Sequence, residues 1–208
     1  KPWVKSSLAP GSKTVKMYLE EEDLHFYALL DDSLSMDFGD PTKLHYAKQL
    51  AAAVGFIGLC RADRVRIESL GQTRRQPAPV LRGRHSLWRM VEYLEAIQAG
   101  DSVPLVDGVK NFCLRNSGKG ILLFISDLMD KQGYESAFRF LLAQQMDVYV
   151  VHVLSPEELN PELQGDLRLI DCEDGEHAEI TVSRPLLDRY KRTLATFVDS
   201  AREFCTRR

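Results

Sequence analysis

Asp31, Ser33 and Ser35 form an Asp-x-Ser-x-Ser run directly after the apolar stretch Phe26 to Leu30, and Asp127 closes a second apolar stretch that begins at Gly120. Where a strand gives way to a loop, alternate residues point the same way, so one carboxylate and two hydroxyls can converge on a point. Hard oxygen donors with few formal charges suit Mg²⁺, or Mn²⁺ in its place. A second carboxylate from Asp127 completes the charge balance. The metal-free alternative is a strand-end turn in which Asp31 and the serines cap backbone groups. Neither serine has a histidine in motif spacing, so the cluster lacks an activated nucleophile.

Specific elements must carry these side chains. Phe26 to Leu30 and Gly120 to Ser126 are continuous apolar runs, as expected of strands buried on both faces of a parallel sheet, whose carboxyl ends hold ligands. A helix is predicted from about Pro41 to Cys60, with Asp40 as N-cap; Leu44, Ala47, Ala51, Val54 and Gly58 form its apolar face. The small residues on that face let it approach a sheet closely. Arg64 to Leu70 alternates as a strand exposed on one side. Leu87, Met90, Val91, Leu94 and Ile97 make a helix starting near Ser86 and stopping at Ala99-Gly100. Leu105, Val109 and Phe112 mark another helix, and Gly133 to Gln145 a further one. Asp147 to Leu154 reads as a buried strand, with His152 as a core histidine bonded to backbone. Leu167 to Asp171 and Ala178 to Val182 flank a turn as a β-hairpin, and a long helix runs through Leu187, Tyr190, Leu194, Phe197, Ala201 and Phe204. The alternation predicts an α/β fold: a doubly wound, mostly parallel sheet with helices on both faces, followed by a C-terminal β-hairpin and long helix. A TIM barrel needs about eight such units.

With 208 residues, 44% apolar, 27% charged and a net charge of -3, the chain is of ordinary globular type without the basic excess of a nucleic-acid binder. No apolar run reaches the roughly 18 residues of a membrane span. Cys60, Cys113, Cys172 and Cys205 have no C-x-x-C spacing and read as small core residues in a reducing compartment. The first residue is Lys1, so the chain is read as part of something longer. Residues 1–20 are the tail of an upstream segment with a short edge strand, Val15 to Leu19, and residues 21–208 are the domain. Glu20 to Asp23 is a solvated acidic loop. Arg74, Arg75, Arg82 and Arg84 form a basic loop, either solvated or facing an anionic partner. Asp32, Asp37 and Asp40 are read as exposed loop or cap residues, with Asp32 adding negative potential that attracts cations.

Asp31-Asp-Ser33-Leu-Ser35, the loop Gly100 to Leu105 and Ile125-Ser-Asp127 together resemble the metal-ion-dependent adhesion site of von Willebrand factor A domains. The likeness covers about Lys1 to Arg208. It extends to DUF58, an uncharacterised bacterial branch of that superfamily associated with MoxR-type AAA+ ATPases, through Val151-His-Val-Leu-Ser-Pro-Glu-Glu-Leu159, Leu169-Ile-Asp-Cys-Glu-Asp-Gly-Glu176 and the helix with Tyr190. The resemblance implies that Ser33 and Ser35 ligate Mg²⁺ directly and that Asp31 and Asp127 bond mainly through waters. Ser102 stands where the family has threonine, with Asp101 as its alternative. It implies a non-enzymatic, cytoplasmic binding module whose metal takes a carboxylate from a protein partner, such as a MoxR-type ATPase. The competing class is a Mg²⁺ phosphotransferase or phosphatase. Haloacid-dehalogenase-like enzymes need a second aspartate where this chain has Ser33, and of the receiver-domain requirements only the acidic pair Asp31-Asp32 is met.

Overall fold

The computed structural model describes residues 24–71, 78–100, 103–116, 118–173 and 175–207. The expected tail, its edge strand, the acidic run before Leu24, Arg74, Arg75, Asp101 and Ser102 lie outside the described residues. Five strands, β1 (His25–Leu30), β2 (Arg64–Ser69), β3 (Leu81–Arg82), β4 (Gly120–Ser126) and β5 (Met146–His152), form one sheet in the order β3-β2-β1-β4-β5. All neighbours are parallel except β2 and β3. Strands β6 (Gly165–Ile170) and β7 (His177–Val182) pair separately as the expected antiparallel hairpin.

The period-two geometry of β1 divides the core. Phe26, Ala28 and Leu30 pack on one face with Leu44, Ala47 and Ala51 of α1 (Lys43–Cys60) and Met90 and Leu94 of α2 (Leu87–Ala96). Tyr27 and Leu29 point the other way, toward Val109 and Phe112 of α3 (Leu105–Arg115), Phe138 and Leu141 of α4 (Glu135–Leu142), and Ala201 of the closing helix α6 (Arg184–Thr206). A strand flanked by two others with helices above and below has no wet face, which is why its sequence is continuously apolar. Tyr134 and Phe138 stack edge-on or tilted against Phe197 and Phe204, fixing α6 to this second face. The one-turn helix α5 (Pro156–Leu159) follows β5.

The small face of α1 does what its composition implied. A Cβ on Gly58 would lie 2.9 Å from Val65 Cγ2, and one on Gly55 2.8 Å from the Met90 sulfur. The start of that helix differs from expectation: α1 begins at Lys43, and Thr42, not Asp40, caps it by accepting from the His45 N–H at 3.2 Å. The threonine hydroxyl provides the same acceptor two residues nearer the first full turn.

Other readings are also revised. Strand β5 is an edge strand with Tyr149 59% exposed, because nothing pairs beyond it among the described residues. The second half of β2 is buried on both faces, and Glu68 there accepts from Arg115 Nη2 at 2.8 Å and Asn116 Nδ2 at 3.0 Å. Of the cysteines expected in the core, Cys113 packs half-buried against the second core face, Cys60 is half-buried, and Cys172 and Cys205 are exposed. Burial pushes the Cys113 thiol up to about 11, so it stays protonated at neutral pH.

Candidate functional site

Strand β1 lies at the point where the sheet changes direction, with β2 on one side and β4 on the other. In such sheets the crevice at the carboxyl ends of these strands is the ligand site. The register Leu30↔Ile125 continues through the Asp31 N–H, which donates to the Ile125 carbonyl at 2.9 Å. Asp31 therefore lies beside Ser126, whose hydroxyl donates to Asp31 Oδ2 at 2.5 Å. The Ser33 N–H holds Oδ1 at 3.0 Å, and Ser33 Oγ lies 3.0 Å from Ser35 Oγ.

Asp31, Ser33, Ser35, Ser126 and Asp127 line one cleft of about 190 Å³, closed on other sides by Val103 to Leu105, Asp130, Lys131 and Glu173. The loop Gly100 to Leu105, the third of the resemblance, thus reaches the cleft through Val103, Pro104 and Leu105. Asp130 ties that loop down, accepting from the Leu105 N–H at 2.6 Å. Burial, and then the charge of Asp127, hold the Asp31 carboxyl above the usual carboxylate range. Partial burial, then Asp171, Asp31, Asp127 and Asp130, push the Glu173 carboxyl the same way.

Lys43 is a part of the site that sequence reasoning missed. It is 2% exposed, and its ammonium donates to Asp127 Oδ2 at 2.8 Å and to Glu158 Oε1 at 2.5 Å. Burial pulls the ammonium down, but the pull of Asp127 and Glu158 more than offsets it, and its pKa lies above the ordinary lysine value. Asp127 Oδ1 accepts from the Met129 N–H at 3.0 Å, and the Asp127 carbonyl from His152 Nε2 at 2.9 Å. His152 is thus the backbone-bonded histidine expected, and burial holds its pKa below the usual value. Glu158 is itself fixed by a capping box with Ser155, and its carbonyl accepts from the Tyr190 hydroxyl of α6 at 2.8 Å. The Ser-Pro-Glu-Glu sequence carries the signal for that capping box. No sequence signal links it to Lys43.

Asp32 is not the exposed loop residue anticipated. It is 3% exposed, and its Oδ1 accepts from the Gly71 N–H at 2.7 Å, because one residue along the strand end reverses the side-chain direction. Asp32→Ala leaves that buried N–H unpaired, so urea denaturation should find a loss of about 2 kcal/mol. Asp37 and Asp40 are exposed, as expected. Arg82 and Arg84 are exposed but lie away from the cleft, since Arg82 pairs with Arg64 at the amino end of β2.

The donor set fits a small hard cation. An ionised carboxylate has about four acceptor sites, so Asp31 and Asp127 keep capacity beyond the bonds they make. Adjacent oxygens of an octahedron with Mg–O bonds of about 2.1 Å lie about 3.0 Å apart, which is the separation of the two serine hydroxyls. Among the described residues no three His, Cys, Asp or Glu side chains are placed together to hold a metal ion, so a cation in this cleft would depend on the serine hydroxyls and on water beside the carboxylates.

The chain belongs to the family described as "Protein of unknown function DUF58", matched over residues 6–197. Uncharacterised proteins of Mycobacterium tuberculosis and Mycobacterium bovis are each 24% identical to it over 186 residues, which cover 87% of this chain. The chain spans 58% of the length of these relatives. The crystal structure of an aerotolerance-related membrane protein from Bacteroides fragilis shares the fold, with a TM-score of 0.52 at 17% identity over 81% of this chain and 87% of that one. The von Willebrand factor A domain of SpRpn10 is more distant, with a TM-score of 0.36 at 12% identity over 67% and 90% of the two chains. Family and fold class stand as the sequence implied: a DUF58 chain with a mostly parallel α/β sheet, helices on both faces, and a C-terminal hairpin and long helix. Among the described residues no helix is long and apolar enough to cross a membrane.

Proposed function

We propose that this domain is a non-enzymatic protein-binding module whose cleft holds Mg²⁺ and docks an acidic side chain of a partner. The observation that carries this reading is the 3.0 Å spacing of Ser33 Oγ and Ser35 Oγ beside the Asp31 and Asp127 carboxylates. A divalent cation bound there supplies a hard Lewis-acid position for one further carboxylate oxygen. The two serine hydroxyls would hold it, with Asp31 and Asp127 balancing its charge and Ser102, or Asp101, contributing from the third loop.

The cleft of about 190 Å³ is smaller than the roughly 300–1,000 Å³ typical of pockets that enclose metabolites. Among the described residues no base is bonded to either serine: His152 is committed to the Asp127 carbonyl. A nucleophile without a base favours binding over hydrolysis. The family resemblance makes a MoxR-type AAA+ ATPase, met in the cytoplasm, the leading partner.

The reading is tested by titrating Mg²⁺ into wild type, Ser33→Ala and Asp31→Ala in a calorimeter. Wild type is expected to bind, and each substitution to weaken binding about 10–100-fold. Equal heats in all three proteins overturn it. Every buried polar side-chain atom among the described residues already has a hydrogen-bond partner, so EDTA should remove binding without unfolding the domain.

A further inference from the structure

The amino ends of the strands, at the opposite end of the sheet from the cleft, hold a second polar site. The period of two in β2 puts Arg64, Arg66 and Glu68 on one face, beside His25, Tyr27 and Leu29 of β1 in register. Gly108 of α3 lies against Leu70 just past the carboxyl end of β2, and the helix runs down this face to end at Arg115, which bonds Glu68. A cavity of about 250 Å³ remains there, lined by Arg64, Arg66 and Arg115 with His25, Tyr27 and Asn116. Among the described residues no carboxylate lines it.

The charges around it do not cancel. Glu68 is buried behind the lining; its Oε2 accepts from Arg115 Nη2 at 2.8 Å and its Oε1 from Asn116 Nδ2 at 3.0 Å, with Arg66 Nη1 3.8 Å away. Two guanidinium groups, only 27% and 33% exposed, therefore attend one carboxylate, where one would neutralise it. Arg66 Nη1 donates instead to the neutral Asn116 Oδ1 at 2.7 Å, and buried Asn116 is anchored in turn by Glu68 and the Phe112 carbonyl. Both guanidiniums are thus held from behind. Each has five N–H donors, and these bonds engage one terminal nitrogen of each, so donors remain for the cavity. His25 Nδ1 lies 3.1 Å from the Tyr27 hydroxyl. When Nδ1 accepts from it, Nε2 carries the proton and can donate.

We propose that this cavity binds a phosphate group through Arg66 and Arg115, with His25 as a further donor. Donors that converge from β1, β2 and the end of α3 suit the tetrahedral oxygens of phosphate, whereas one guanidinium edge satisfies a planar carboxylate. The volume lies below the roughly 300–1,000 Å³ of pockets that enclose whole metabolites, so the site takes the free ion or the phosphate end of a larger molecule. It is independent of the metal-binding reading of the cleft.

The experiment titrates inorganic phosphate, methyl phosphate and acetate into the full chain by calorimetry at constant ionic strength, which separates site binding from diffuse screening. Wild type is expected to bind phosphate saturably and more tightly than acetate. Arg66→Gln should weaken phosphate about tenfold or more, while Arg61→Gln, an exposed arginine outside the cavity, should match wild type. If Arg66→Gln fails to fold, Arg66→Lys decides: it keeps the charge but lacks the fork, and should also bind more weakly than wild type. Tighter binding of the inorganic ion assigns the free ion as ligand, and equal or tighter binding of methyl phosphate assigns a phosphate ester. The proposal is overturned if phosphate does not saturate, if acetate binds as tightly, if Arg66→Gln and Arg61→Gln behave alike, or if Arg66→Lys equals wild type.

Discussion

Lys43→Met is expected to cost about 3–5 kcal/mol of folding stability in urea denaturation, the range for breaking a buried ion pair from one side. The substitution removes the cation that neutralises Asp127 and Glu158 while keeping a side chain of similar length. Asp127 is 1% exposed and cannot recover its lost partner from bulk water. An exposed pair would lose less than about 1 kcal/mol, so the size of the effect distinguishes an interior clamp from a surface contact. Lys43→Met combined with Asp127→Asn should recover much of the loss, because the uncompensated charge is then gone. The ammonium's pKa is raised in the folded state, so its contribution is complete below the ordinary lysine value of about 10.4 and fades as pH rises through the higher folded value. A loss of stability between pH 6 and 8 that disappears in Lys43→Met would contradict this assignment.

Gly120→Ala should be the most damaging single methyl addition, costing at least about 3 kcal/mol or preventing recovery of folded protein. Gly120 pairs with His25 where β4 meets β1. A Cβ there would sit 2.4 Å from the His25 carbonyl oxygen and 3.1 Å from its Cβ. Both contacts belong to the backbone or its first side-chain atom, so no flexible tip can move aside, and the two central strands must separate or slip. A slip would also part Asp31 from Ser126, whose contact depends on that register. Gly100→Ala is the control: a Cβ there meets nothing within 4 Å, and the change should stay within about 0.5 kcal/mol. Thermal melts of the two variants beside wild type decide the matter.

Asp31 and Asp127 were legible because each ends a continuous apolar run, and a polar residue at such a boundary has only the end of the sheet to occupy. Ser33 and Ser35 follow from the two-residue spacing. Asp32 was misplaced for the same geometric reason: its neighbour faces the cleft, so it faces Gly71. Strand β5 was read as buried because Val150 and Val151 look alike in a central strand and an edge strand; whether a further strand pairs beyond is not a local property. The cysteines carried a similar ambiguity, since a small apolar side chain fits a core or a surface equally well.

Local pattern therefore determined the class of fold, the two strand ends and four of the side chains at the cleft, since periodicity, strand-end polarity and residue spacing are short-range quantities. Tertiary structure alone decided what surrounds them. Lys43 meets partners 84 and 115 positions away, and Glu173 reaches the cleft from a hairpin that follows the sheet's last strand. Both placements depend on how the chain returns over the sheet, which places distant charges in one low-dielectric space where their interaction is strong. Nothing in the neighbouring residues of either one encodes that meeting.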